Sequence, residues 1–254
     1  MGLAEEARRL ARLLAGSRYA VAFTGAGVST ESGIPDFRGP QGLWRRVDPE
    51  VFSIEYFMED PLGVWRLFAE LFAGFRGARP NPAHHALARM EELGVVKTVI
   101  TQNIDGLHQA AGSRRVIELH GSLRWARCTR CGHRVPLEEA LREVEEGRLP
   151  RCPRCGGVLK PDAVFFGEPL PDDALREAYR EAGRADLVLV VGSSLTVYPA
   201  ALIPEYAARR GARLAIINLE PTSLDSLAVF VSRRRAGEIL PAAARELEAM
   251  MGAR

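Results

Sequence analysis

Two sets of residues in this chain have the types and spacing to do chemistry. The first is a thiol cluster: all four cysteines lie within 28 positions, as Cys128-x2-Cys131 and Cys152-x2-Cys155 with 20 residues between the pairs. Two such knuckles can close a tetrahedral shell of four thiolates around one zinc ion, leaving no open position for water or substrate. The spacing therefore predicts a structural metal site. A redox pair or a general disulfide framework fits less well, because both pairs share one compact insert with glycine turns at 132 and 156–157. His133, beside the first knuckle, is surplus to a four-thiolate shell and reads as a surface residue.

The second set is polar and sits at strand ends. The apolar run VVKTVIT (95–101) leads into Gln102-Asn103-Ile104-Asp105-Gly106-Leu107-His108. Amides and a carboxylate in a row are costly in a dry core unless fully paired. At the mouth of a parallel sheet, Gln102, Asn103 and Asp105 offer donors and acceptors suited to a planar carboxamide. Asx turns and helix capping are the plain alternative. His120 closes the next apolar run, VIEL (116–119), and an imidazole there is suited to taking a proton from a sugar hydroxyl. His84 and His85 have no comparable placement; His108 could support the local network.

A third group has the look of a nucleotide site. The run Tyr19–Phe23 delivers Gly25-Ala26-Gly27, with Ser29 placed to receive a following helix. Glycines at such a turn let phosphate approach the backbone amides, and a helix N-terminus adds positive potential. Thr30 stands where the dinucleotide fingerprint has its third glycine, and no acidic strand end follows about twenty residues on. Further along, DLVLVVG (186–192) delivers Gly192-Ser193-Ser194, and LAIINLE (214–220) delivers Asn218 and Glu220, whose carboxylate could accept both hydroxyls of a ribose. Three apolar strands ending in small, polar or acidic residues favour a dinucleotide bound in a variant orientation.

Those groups need a scaffold. Helices are expected over 3–15, 81–93, 172–182, 199–210 and 240–250. A helical stretch over 51–76, broken at Pro61, carries Trp65, Phe68, Leu71, Phe72 and Phe75 as core or as the wall of a ligand channel. Strands that are apolar along their length suit a parallel sheet covered on both faces. The expected fold is α/β, a Rossmann-like open parallel sheet with a smaller zinc-binding and helical module inserted. Its sheet domain comprises 1–35, 81–121 and 161–254, with a cofactor loop and helical insert at 36–80 and the zinc module at 122–160. KPDAVFFGE (160–168) reads as an extended segment whose backbone could pair with a peptide while Val164 and Phe165 line an apolar slot.

Bulk properties exclude some classes. Lys+Arg 34 against Asp+Glu 32 leaves no strong basic excess, and no basic stripe stands out for nucleic acid. Only Lys97 and Lys160 are lysines; arginine supplies the remaining basic residues. No apolar run approaches the eighteen or so residues of a membrane span. The expected setting is intracellular and cytoplasmic.

Taken together, GAGVS (25–29), GIPDFR (33–38), TQNIDGLH (101–108), HG (120–121), the paired CxxC knuckles, FFGE (165–168), GSSLTVYPA (192–200), INLE (217–220) and AGEILP (236–241) resemble the sirtuin family, the NAD-dependent protein lysine deacylases. The resemblance covers nearly the whole chain. It implies that Ala26, Asp36, Phe37 and Arg38 belong to a flexible cofactor-binding loop, with Phe37 shielding the reacting sugar. It places Gln102, Asn103 and Asp105 around the nicotinamide ribose and carboxamide, Gly192, Ser193 and Ser194 at the phosphates, Asn218 and Glu220 at the adenosine ribose, and Ala236 at adenine. Gly25, Gly27 and Ser29 complete the cofactor set. His120 corresponds to the general base, and with Asn103 and Asp105 forms the implied catalytic set. The implied reaction is not redox: the acetyl oxygen of acetyl-lysine attacks C1′ of the nicotinamide ribose, nicotinamide leaves, and an alkylimidate goes on to free lysine and O-acetyl-ADP-ribose. NAD is thus consumed, beside one structural zinc.

Two departures stand out. GSS replaces the commoner GTS, which keeps a hydroxyl at 193. Phe68 and Leu71 stand where relatives specialised for succinyl or malonyl groups resemble Tyr-x-x-Arg, so acidic acyl groups are disfavoured. The expected partner is an acetyl-lysine peptide bound as an extended strand near Val164–Gly167, with no membrane and nucleic acid only indirectly. Mono-ADP-ribosyl transfer and a non-catalytic NAD-sensing or chromatin-binding role are the competing readings; intact His120, Asn103 and Asp105 argue against the latter.

Overall fold

Aliphatic and β-branched runs set up the main sheet, because their stiff side chains pack well on a pleated surface. The computed structural model describes residues 2–39, 42–74 and 76–252. Its strands are β1 (Ala20–Thr24), β2 (Val96–Thr101), β3 (Val116–Glu118), β4 (Gly121–Cys128), β5 (Arg134–Pro136), β6 (Leu159–Ala163), β7 (Leu187–Val191), β8 (Arg213–Ile217) and β9 (Ala228–Ser232). Six form a parallel sheet in the order β3-β2-β1-β7-β8-β9. The order turns back at β1, so the crevice beyond its carboxyl end, between the two halves, is where an open α/β sheet takes a ligand.

Alternation along the central strands feeds two cores. Ala20, Ala22, Leu187, Leu189 and Val191 face the helices Leu3–Ala15, Pro82–Glu92 and Ala236–Gly252. Val21, Phe23, Val188 and Val190 face Asp172–Arg184 and Leu202–Arg209. Every residue of β1 and β7 is buried, which explains why these strands read as continuous apolar runs.

The inserted segments pack on each other in a third core. Antiparallel β5-β4-β6 carries the cysteines, and the helix Leu137–Glu145 covers it together with Ile54–Glu59 and Pro61–Ala73. Trp65 and Phe68 are core residues here; Trp65 Nε1 donates to the Leu159 carbonyl at 2.8 Å. Leu71 and Phe72 are half-buried, and Phe75 lies outside the described residues. Pro61 begins its helix, whose first amides Asp60 caps by accepting from the Gly63 N–H at 3.0 Å.

Some elements depart from the expectation. No α-helix follows β1: the chain makes two single 3₁₀ turns, Ala26–Val28 and Thr30–Ser32. The last helix starts at Ala236, before Pro241, which it accommodates internally. β9 escaped notice because its outward Val229 and Val231 are exposed at the sheet edge, so its sequence lacks the signature of a buried strand.

Candidate active site

The glycine turn packs for a reason different from the expected one. A Cβ on Gly25 would stand 2.8 Å from the Gly192 carbonyl oxygen, and one on Gly27 would stand 2.8 Å from Gly192 Cα. Gly192 itself has φ +60, and a Cβ there would meet the Val28 nitrogen at 2.3 Å. These glycines let the turns after β1 and β7 pack backbone against backbone, with the Gly27 N–H donating to the Gly192 carbonyl at 2.8 Å. The amides that stay open are those of Ala26, Ser193 and Ser194, which have no backbone acceptor among the described residues. Open N–H groups beside a left-handed residue form the kind of concavity that receives an anion. With no α-helix after β1, a helix dipole plays no part there.

Ser29 caps nothing. It is the centre of a buried polar network instead. Its hydroxyl donates to Asp105 Oδ2 at 2.7 Å and accepts from Asn103 Nδ2 at 3.0 Å. His84 Nε2 lies 3.4 Å from the same oxygen. The Asn81 N–H donates to His84 Nδ1 at 3.2 Å, so Nδ1 is the acceptor and Nε2 carries the proton toward Ser29. Ser29 therefore spends its proton on Asp105 and both lone pairs on Asn103 and His84. Asp105 also accepts the Leu107 N–H through Oδ1 at 2.9 Å. Asn103 uses its second amide proton on the Gly25 carbonyl at 3.2 Å, which leaves its Oδ1 as the open group.

Below this lie Thr24, Thr101 and His108. Thr24 donates to Thr101 Oγ1 at 2.8 Å and meets His108 Nε2 at 2.8 Å; Thr101 Oγ1 also accepts the Asn103 N–H. The rings of His84 and His108 stand edge to face, 4.9 Å apart. Burial drives the His84 pKa down to about 4 against the pull of the Asp105 carboxylate. Burial, then the neighbouring His84, takes His108 to about 3. Both imidazoles are held neutral. Sequence reasoning passed over His84; the available signal was Asn81-Pro82 followed by His84 at the third helical position, where it closes a capping box.

His120 leaves β3 on the same side of the sheet. Its Nδ1 lies 2.9 Å from the Gln102 carbonyl. A carbonyl only accepts, so Nδ1 carries the proton and Nε2 presents a lone pair. Burial lowers its pKa, with the Gln102 bond pulling the other way. Gln102 in turn donates through Nε2 to Ser193 Oγ at 2.8 Å, joining the β2 end to the β7 turn. The structure thus gathers Ser29, Gln102, Asn103, Asp105, His120 and Ser193 at the carboxyl ends of β1, β2, β3 and β7.

Other expected site residues lie around the rim. Ser194 Oγ pairs with Thr196 Oγ1 at 2.8 Å. Past the end of β8, Asn218 Nδ2 donates to the Glu220 carbonyl at 2.8 Å, and the Glu220 side chain is exposed. Ala236 opens the last helix, where Gly237 N–H donates to Glu31 at 2.8 Å. Asp36 accepts from Gly39 N–H at 2.9 Å, Arg38 is exposed, and Phe37, 39% exposed, rests on Trp44 with ring centres 5.1 Å apart.

The segment after β6 corrects one assignment. Phe165 lines no open slot: it is buried edge-on against Phe52 and Phe57. Phe166 is the exposed aromatic at 44%. Much of the backbone is already paired, Val164 N–H to His120, and Phe166 to Phe52 and Ile54. The Val164 carbonyl and both groups of Gly167 have no backbone partner among the described residues.

The four cysteine Sγ atoms lie within 4.8 Å of one another. Neighbouring pairs stand 3.4 to 3.7 Å apart, close to the ~3.8 Å edge of a tetrahedron with Zn–S bonds near 2.3 Å. The N–H groups of Arg130 and Cys131 point at Cys128 Sγ, at 3.4 and 3.5 Å. Donor type and spacing fit a closed four-thiolate metal site.

The model of the Sir2 family matches residues 25–199. The chain belongs to the Sir2 family. It is 56% identical over 247 residues to NAD-dependent protein deacetylase 1 of Pyrobaculum aerophilum, covering 97% of each chain. A crystal structure of a Sir2 homolog–NAD complex shares 45% identity at TM-score 0.89, over 96% of this chain and 94% of that one. A Sir2–p53 peptide–NAD+ complex shares 43% identity at TM-score 0.85, over 97% and 98%. The Rossmann-like sheet with its inserted cysteine module is the architecture this Sir2-family chain was expected to have.

Proposed function

We propose that this chain is an NAD-dependent protein-lysine deacetylase, releasing nicotinamide and O-acetyl-ADP-ribose. The observation that carries the reading is His120: an imidazole kept neutral by burial, with Nδ1 tied to Gln102 and Nε2 free, beside the Asn103–Asp105 strand end. Bound NAD supplies an electrophilic ribose carbon from which nicotinamide departs. The chain's own residues do the rest. Asn103 Oδ1 is free to accept from a carboxamide, and Ser29 and His84 hold that side chain in one orientation. The amides of Ala26, Ser193 and Ser194 receive phosphate oxygens; Gly25, Gly27 and Gly192 bring their turns together. Asn218, Glu220 and Ala236 serve the adenosine end. Asp36, Phe37 and Arg38 close over the reacting sugar and keep water from it. His120 Nε2 takes the proton of a ribose hydroxyl as that oxygen attacks the acyl carbon.

The acyl-lysine peptide binds beside Val164–Gly167, with main-chain pairing to the open groups of Val164 and Gly167. Phe68 and Leu71 bring no cation to the acyl side, so acetyl is preferred over succinyl. Cys128, Cys131, Cys152 and Cys155 hold one structural zinc. A cytoplasmic setting, where thiols stay reduced, suits four cysteines that form no disulfide.

The test is mass spectrometry of an acetyl-peptide reaction with and without NAD. Free lysine must require NAD and match nicotinamide and acylated ADP-ribose mole for mole. Labelled NAD appearing on protein, with no free lysine, would favour ADP-ribosyl transfer instead.

A further inference from the structure

Lys160 is one of two lysines in a chain whose other basic residues are arginines, and it is buried at 6% exposure. Its ammonium has three donors and meets three oxygens: Pro161 O at 3.1 Å, Ala163 O at 2.5 Å and Glu168 Oε2 at 2.9 Å. The fourth side is closed by the ring of Phe165, whose centre lies 4.2 Å from Nζ. Glu168 Oε2 also accepts the Phe165 N–H at 2.7 Å, and the Glu168 N–H returns to the Phe165 carbonyl at 3.0 Å. One side chain therefore gathers the carbonyls at the end of β6 and, through Glu168, the far end of the segment 164–168. Within that closed stretch the Val164 carbonyl and both groups of Gly167 are left without a backbone partner among the described residues, with Gly167 at φ +87.

We propose that Lys160, acting through Glu168, is a positioning residue for the peptide: it sets the shape of segment 164–168 and hence the main-chain groups that an acyl-lysine substrate's flanking backbone meets. The proposal rests on the assignment of Val164–Gly167 to the peptide. Lys160 touches neither the ribose-side network nor the thiol cluster: none of its contacts involves Ser29, Asn103, Asp105, His120 or a cysteine. Among the described residues, the segment's one backbone tie to the catalytic side is the Val164 N–H, which donates to the His120 carbonyl at 2.9 Å; the effect of Lys160 therefore falls first on recognition of the peptide backbone. A single buried pair with one partner deleted leaves the other charge uncompensated, so the segment loses its shape when either residue is changed.

The test compares an acetylated peptide with a blocked acetyl-lysine that has no flanking residues. In the parent, kcat/KM should favour the peptide. Lys160→Met should raise the peptide KM by about tenfold or more, the size of one lost charged hydrogen bond, and leave the KM for NAD and the rate on blocked acetyl-lysine near the parent values. Lys160→Arg, which keeps charge and donors, should restore most of the peptide preference. Glu168→Gln keeps an oxygen for the Phe165 N–H but loses the charge, so it should fall between; it also decides the matter if Lys160→Met does not fold. A folded, metal-loaded Lys160→Met or Glu168→Gln with the parent peptide preference overturns the proposal. So does an equal loss on both substrates and on NAD, which marks a merely structural role. A parent with no preference for the peptide removes the segment's assignment and the proposal with it. A parent that frees no lysine with NAD fails the functional reading instead.

Discussion

The strand-end network and the cysteine module both hold parts of the site, and they do so by opposite physical means. Around Ser29, four side chains are already paired with one another: Asp105, Asn103 and His84 each meet the same hydroxyl. Order there comes from dense side-chain hydrogen bonding at the end of a well-packed parallel sheet. The module has only a three-stranded sheet and a modest apolar cluster, with four thiols brought together at one end. A unit that small leans on a metal or other staple for its order. A change of one atom should therefore disturb the first region locally, whereas the second should fail as a unit.

The largest effect should come from the module. Chelation, or Cys152→Ser, should melt it while the parallel sheet stays folded, since a structural zinc contributes on the order of 10 kcal/mol. Fluorescence of Trp125 in the module and of Trp65, which packs against it, should shift and peptide turnover should vanish, with most far-UV helix signal retained. Unchanged tryptophan emission after complete metal removal would erase the contrast between the regions.

Ser29→Ala should act locally. It leaves Asn103 Nδ2 and Asp105 each short of a buried partner, at a cost of about 1–3 kcal/mol. Calorimetry should show weaker NAD binding with little change in melting temperature of the module. A variant that binds NAD like the parent would show that the network does not orient Asn103.

Acid should also separate the two regions. His84 and His108 have folded pKa values of about 4 and about 3, below the unfolded value of about 6.5. Their contribution is full above that pH and falls as pH drops toward 4 and then 3, by roughly 1.4 kcal/mol per pH unit for each. Urea unfolding of the sheet domain between pH 7 and pH 5 should show the slope, and Ala replacement of both histidines should flatten it. The smallest effect concerns the acyl group. Leu71→Arg should raise the rate on succinyl-lysine relative to acetyl-lysine, and a parent that handles both equally would refute the role given to Phe68 and Leu71.

The sequence spoke most clearly where one residue type has one use. Four cysteines at knuckle spacing have little to do except meet, and β1 and β7 are apolar throughout because both faces are covered. It was silent where geometry is collective. Gly25 and Gly27 read as glycines that let phosphate approach; that a side chain at either would also meet Gly192 is a contact between chain positions far apart, which the sequence does not show. Ser29 read as a helix cap because serine often is one; only the fold brings Asp105, Asn103 and His84 around it. Phe165 and Phe166 are adjacent and identical in type, and which one is buried depends on Phe52 and Phe57 from another insert.

The central claim is that His120 takes the ribose proton in a reaction that consumes NAD. Its most direct test is the ratio of free lysine to nicotinamide, followed through single turnovers of the parent and of His120→Ala on one acetyl-peptide. The parent should give one lysine for each nicotinamide, and the variant should free lysine at least about a hundredfold more slowly, as expected for a lost general base. Lysine released by His120→Ala at the parent rate would contradict the account.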